Sequence, residues 1–179
     1  MRNFCLISAF VLVTMTGCKK DKYPMYSGTI TINNEAADEN YNVYGFYVPT
    51  GEKLKNLSTK ENLITIQPDF AVDYTVRKLF FSDNNLNNSF SRFGQYSDAS
   101  VATNAFNNLT SFSVSQWLEL GDSIKANQIW LYKTGEEKYA KIRIIGTFTE
   151  KRSGMPFPYA ECTFEWVYQP DGTQTFPGK

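Results

Sequence analysis

The stretch from Tyr159 to Gln169 constrains this chain more than any other. Its residues alternate with period two. Ala160, Cys162, Phe164, Trp166 and Tyr168 share one side, and Tyr159, Glu161, Thr163, Glu165 and Val167 share the other. Side chains of an extended chain point alternately to opposite faces, so this pattern is a β-strand with an apolar face on a core and a wet face outward. A strand this long needs long neighbours and a second apolar layer beneath it. Gln128–Lys133 and Lys138–Thr149 read as those neighbours, joined by the turn Thr134-Gly135-Glu136-Glu137. Arg152–Pro158 reads as a loop and Pro170-Asp171-Gly172-Thr173 as a turn, because Pro presets φ and Gly accepts positive φ.

Upstream the same logic predicts shorter strands. Thr29-Ile30-Thr31-Ile32 alternates, and Tyr41–Val48 is aromatic and β-branched. Pro49-Thr50-Gly51-Glu52 predicts a turn, with the chain returning through Lys53–Leu57. Leu63–Ile66 and Phe70–Phe81 are each expected to form one strand. Ser82–Tyr96 is rich in Asn and Ser, which bond locally to the backbone and favour turns over ladders. Ser97-Asp98 then offers a helix cap, and Val101, Ala102, Ala105, Phe106 and Leu109 fall on one helical face. The expected fold class is all-β, mainly antiparallel sheets, with one short helix.

Composition narrows the chemistry. The 179 residues include no His, so no side chain has an unperturbed pKa near neutrality. Ser-His-Asp and Cys-His nucleophile systems are excluded, as are zinc sites with His ligands. There is no metal-ligand cluster and no Gly-rich phosphate loop, so the chain is expected not to be an enzyme. With 18 Lys+Arg against 18 Asp+Glu and no basic stripe, no nucleic-acid partner is expected.

The N-terminus reads as a targeting segment. Arg2 supplies a positive charge, and Phe4–Met15 is an apolar run too short for a permanent span. Met15-Thr16-Gly17-Cys18 has the order of a lipobox: an apolar residue, two small residues, then the cysteine that takes the lipid. Residues 1–17 are therefore expected to be a lipoprotein signal peptide. Residues 18–25 form the lipidated Cys18 and a charged tether, and residues 26–179 a single β-rich ligand-binding domain. Two or three acyl chains, at about 0.8 kcal/mol per buried CH₂, hold a protein stably on a membrane. The expected location is the outer membrane, by lipid anchor. Cys5 leaves with the signal and Cys18 carries lipid, so Cys162 has no disulfide partner.

Trp117-Leu118-Glu119-Leu120, Gln128–Gly135, Lys138–Ile144 and Cys162–Tyr168 with Gln169-Pro170-Asp171-Gly172 together resemble the HmuY family of Bacteroidota haem-binding lipoproteins. Tyr44–Glu52 is similar to that family's early aromatic strand and its Gly turn, and the lipobox agrees. The resemblance implies an all-β fold that holds haem between loops at one end. It also implies two His ligands for the iron, one in the central region and one after the Trp-Leu-Glu run. This chain has Gly121-Asp122-Ser123 at the later position and no His anywhere.

Among the candidate site residues, Met155 is the remaining iron ligand by chemistry, since a thioether is an axial donor to haem. Its alternative role is a flexible apolar residue closing a hairpin end. Phe90, Phe93 and Tyr96 are expected as rings within a polar loop that stack on a porphyrin or a sugar, or else plug the end of the core. Cys162 reads as a small buried hydrophobe. Two functions follow. One is an HmuY-like envelope lipoprotein that captures haem or another flat hydrophobic ligand. The other is a glycan-binding or assembly module of an outer-membrane nutrient-uptake system.

Overall fold

A computed structural model of the chain describes residues 26–36, 43–55, 66–75, 78–84, 88–153 and 157–177. Ten strands and one helix follow in order: β1 Ser27–Asn33, β2 Tyr44–Tyr47, β3 Glu52–Lys55, β4 Phe70–Thr75, β5 Lys78–Asp83, β6 Phe90–Gln95, α1 Ala99–Asn108, β7 Leu120–Gly121, β8 Gln128–Lys133, β9 Tyr139–Glu150 and β10 Tyr159–Gln169. The fold is all-β with one short helix among the described residues. The strands form two antiparallel sheets, ordered β1-β10-β9-β8-β6 and β3-β2-β4-β5-β7. No helix among the described residues is long and apolar enough to cross a membrane.

The two sheets close on one aromatic core. The inward residues of β10, namely Ala160, Cys162, Phe164, Trp166 and Tyr168, are all buried, as the alternation predicts. They meet Phe46, Phe70 and Phe81 of the second sheet. Phe46 lies 5.2 Å edge-on to Phe164 and 5.2 Å from Trp166, and Phe70 lies 5.0 Å from Tyr132. Tilted and edge-on pairs place a positive ring edge against a negative face and add about 0.5–1.5 kcal/mol each beyond area burial. Cys162 is fully buried there, and desolvation pushes its thiol well above the usual range, which leaves it unreactive.

The outer side of β10 departs from expectation. It is wet only in part, because α1 and the C-terminal tail cover its far half. Phe106 and Leu109 of the helix region, Phe112 and Phe176 pack with Ile129, Leu131 and Val167 into a second apolar cluster. The tail is held by backbone bonds from Phe176 to Thr110 (2.8 Å) and from Phe112 to Gln174 (3.2 Å). Lys141 sits in the middle of this covered face, opposite Leu131 and Val167 in the ladder, and is 1% exposed. Its ammonium donates to the carbonyls of Phe106 (2.7 Å) and Leu109 (3.0 Å) at the helix end. Nearby, Arg143 and Glu165 face each other across the strands as an ion pair at 2.7 Å.

Helix α1 forms where expected. Asp98 is its N-cap, accepting from the Val101 amide at 3.0 Å, and those bonds hold its carboxyl below the usual range. Ala102 and Phe106 are buried, but Val101 is exposed. Two further expectations are corrected. Phe70–Phe81 is not one strand but the hairpin β4–β5, with Val72 opposite Phe81. The period-two pattern runs through its reversal without a Gly, Pro or Asn to mark it. Ser82–Tyr96 is not mainly turn: Phe90–Gln95 is strand β6, because pairing with β8 overrides the weak strand preference of Ser, Gly and Gln. Residues 63–65 of the expected strand Leu63–Ile66 lie outside the described residues, and Ile66 is in no strand.

Candidate functional site

Strand β6 is an edge of the larger sheet, and the candidate site lies along it. On its inner side β6 pairs with β8. On its outer side the segment after α1 clamps only its first residue. Leu118 donates to the Phe90 carbonyl at 2.7 Å and accepts from the Phe90 amide at 2.9 Å. Beyond Phe90 the edge borders a groove of about 740 Å³. Ser91, Arg92 and Phe93 form one wall. Ser113, Val114, Ser115, Gln116 and Leu118 form the facing wall, and Asp122 and Ser123 close one end.

A β-bulge sets the display. The register between β6 and β8 shifts between Arg92 and Gly94, so Phe93 has no opposite residue. An extra residue in one strand re-aims the side chains around it, and here the Phe93 ring is 46% exposed. Next to it, a Cβ on Gly94 would come within 2.9–3.0 Å of the outer end of the Tyr96 side chain, which folds back over the strand and would have to shift. Among the described residues Arg92 pairs with no carboxylate. Asp122 is held by Lys78 at 3.2 Å, which keeps its carboxyl below the usual range.

Gln128, buried at the start of β8, braces the groove's end wall. Its Oε1 accepts from the Trp130 indole at 2.9 Å and from the Lys125 amide at 3.0 Å, while its Nε2 donates to the Ser123 carbonyl at 3.2 Å. These bonds hold a loop in which Ser123 (φ 59°) and Asn127 (φ 65°) both adopt left-handed backbone. A buried amide that satisfies three groups fixes a unique loop conformation.

The structure separates the three aromatic residues picked from sequence. Phe93 lines the groove. Phe90 takes the second of its two expected roles, in the core and not as an exposed stacking ring: it is fully buried between Phe81 and Tyr132, since it sits on the inward side of β6. Tyr96 is half-buried and packs against the cluster under α1. Met155 and Cys18 lie outside the described residues. Sequence reasoning missed Arg92, Gln116 and the serines of the facing wall. The run Ser111-Phe112-Ser113-Val114-Ser115 held the signal, as alternating small polar residues that lead through Gln116 to Trp117.

A second polar cluster is enclosed. Asp69 and Asp83 are 7% and 6% exposed. Asp69 accepts from the Val48 amide at 2.8 Å, Ser89 donates its hydroxyl to Asp83, and the Tyr132 hydroxyl lies 3.4 Å from Asp83 Oδ1. Burial raises the Asp69 carboxyl to about 7, with Asp83 adding to the rise and the Val48 amide opposing it. The carboxyls tie the β2–β3 turn, β5 and β8 together inside the core, away from solvent. Among the described residues no group of three or more His, Cys, Asp or Glu is placed to hold a metal.

The shift makes stability depend on pH. The native state keeps a proton on Asp69 that the unfolded chain releases above about pH 4. Stability therefore falls as pH rises from about 4 to 7, by on the order of 4 kcal/mol from this group alone. Asp98, Asp122, Glu136 and Asp171 are lowered, so their stabilisation disappears on further acidification. Urea midpoints are expected to peak near pH 4 and decline towards pH 7. Asp69→Asn, which keeps an acceptor for Val48, should flatten the decline; an unchanged slope would assign it elsewhere.

The groove supplies one exposed ring, one cation, several hydroxyls, a side-chain amide and the Asp122 carboxylate. Against known proteins, no protein-family model and no curated protein matches this chain.

Proposed function

We propose that this chain is a non-enzymatic binding module of a bacterial envelope that takes a glycan in the β6 groove. The observation that carries this reading is the bulge that presents Phe93 beside Arg92, opposite Ser113, Ser115 and Gln116. The C–H face of a sugar ring packs on an aromatic ring, and its hydroxyls match Ser, Gln and Arg donors and acceptors. Glycan-array binding by the purified protein tests it. Phe93→Ala is expected to weaken binding by at least about tenfold, the scale of losing one well-packed ring. No glycan bound by the parent protein would overturn the reading.

The HmuY resemblance supports a second reading, capture of haem. Its iron donor would be Met155. The described lining of the groove offers Ser, Arg, Phe, Gln, Leu, Asp, Val and Trp, none of which is an axial haem ligand. Haemin titration separates the two readings: a saturable Soret shift that Met155→Ala alters favours haem.

The anchor is part of the same proposal. Cys18 carries the lipid, and the module stands on the outer membrane as a partner of an uptake system. Mass spectrometry of the native protein is expected to find acyl groups on Cys18, and Cys18→Ala should move the protein from the membrane to the soluble fraction. An unmodified cysteine in the native product would remove the anchor.

A further inference from the structure

We propose that the outer half of β9 is a strand-addition site for a second copy of this chain. Strand β8 pairs with β9 only between Tyr139 and Arg143. From Gly146 to Glu150, β9 pairs with β10 on one side alone. Among the described residues, the last bond on its other side is from the Asn127 amide to the Ile144 carbonyl, at 2.9 Å. Among the described residues a five-residue strand edge is thus without a ladder partner. Ile145 is 40% exposed and Phe148 52%, and Thr147, Thr149 and Glu150 are exposed too. A free edge presents a row of backbone donors and acceptors whose matching partner is another extended strand.

Natural edges are usually blunted by Lys, Pro or inward charge, and Gly146–Thr149 has none of these. The segment is also symmetric in sequence. Thr147-Phe148-Thr149 reads the same in both directions. Two copies aligned antiparallel about a twofold axis at Phe148 place Phe148 opposite Phe148 and each Thr147 opposite the other copy's Thr149. Aromatic–aromatic and Thr–Thr pairs are among the cross-strand pairs that stabilise a sheet. Glu150 then faces Gly146, so no like charges meet. The contact is isologous and closes on itself, giving a dimer rather than a fibre.

The placement leaves the rest of the molecule clear. Strand β1 pairs Ser27 with Val167 and Asn33 with Glu161, so the first described residues lie at the opposite end of β10 from this edge. The groove runs along β6, on the far side of β8. Pairing is therefore independent of ligand binding.

The test uses the full chain, purified in detergent, with single cysteines introduced at Phe148 and at Glu150 and a mild thiol oxidant such as diamide, which takes up the two electrons and two protons. Directly opposed antiparallel residues have Cα atoms about 4.5–5.5 Å apart, within disulfide range. Residue 150 is expected two positions from the dyad and out of range. Phe148→Cys should cross-link into a dimer at least ~10-fold faster than Glu150→Cys, because a paired thiol reacts at a high effective concentration. Sedimentation equilibrium of the parent chain should show a concentration-dependent dimer that Phe148→Lys converts to monomer by opposing two like charges. Equal cross-linking at 148 and 150, or a parent chain that stays monomeric at every concentration, would overturn the proposal. Circular dichroism unchanged in Phe148→Lys separates lost pairing from lost folding.

Discussion

Gly51→Ala should destabilise the fold by about 3–5 kcal/mol, adding the cost of a left-handed alanine to that of an overfilled core. Gly51 ends the β2–β3 turn at φ 72°, where its amide bonds the Tyr47 carbonyl at 2.9 Å. A Cβ there would lie 2.2 Å from Cζ2 of Trp166 and 2.8 Å from its Cη2. Trp166 is 2% exposed and in contact with Phe46, so it has no room to retreat. Gly172 supplies the control. It has a similar φ of 77°, but the nearest atom to its added Cβ is the Glu137 carbonyl oxygen at 3.6 Å. Gly172→Ala should cost only about 1–2 kcal/mol, the backbone part alone. Urea unfolding of both variants measures the difference. In a Trp166→Phe background, which removes the clashing ring atoms, the cost at Gly51 should fall towards that at Gly172. Equal costs at the two glycines in the parent chain would show that the turn gives way instead of the ring.

Lys141→Met is expected to cost about 2–4 kcal/mol, because it removes a charged donor from two buried helix-end carbonyls, of which that of Phe106 keeps the Leu109 amide at 3.4 Å. The long apolar stem is kept, so the loss reports the ammonium. That group bonds two carbonyls and lies 4.7 Å from the Phe106 ring centroid and 5.4 Å from that of Phe176. A cation at a helix C-terminus also meets the negative end of the helix dipole, and here no other basic residue occupies the last turn. The damage should be local. Hydrogen exchange is expected to rise first across α1 and residues 110–112, with β9 and β10 still protected. Uniform loss of protection would mean that the lysine supports the sheet rather than the helix.

The long strands were legible because their physics is local. Residues 159–169 alternate with inward positions that are all apolar, and Ile129–Tyr132 within β8 is a continuous apolar run that proves to be buried on both faces. The short strands were harder. Phe90–Gln95 contains Ser, Arg, Gly and Gln, and becomes a strand only because β8 offers a ladder. The β4–β5 reversal lacks turn residues, so pattern alone ran through it. The cover over β10 was hidden for a different reason: Val167 reads as an outward residue, and only the return of α1 and Phe176 buries it. Of the groove, Phe93 was visible as an aromatic ring in polar surroundings. Arg92, Gln116 and the bracing Gln128 were not, since their roles come from a bulge and from a segment that clamps back onto β6.

The strand order couples distant segments in time. Among the described residues the sheet neighbour of β1 is β10, and Thr31 and Thr163, which face each other across the two, are 132 positions apart. Strand β1 waits without that partner until β10 is made. Contacts between such distant segments are slow to form, and uncovered strand edges invite association meanwhile. A chain released before Tyr159 can complete neither that sheet edge nor the core, so maturation of this protein is tied to arrival of β10, and a holding chaperone would have most to offer just before that moment.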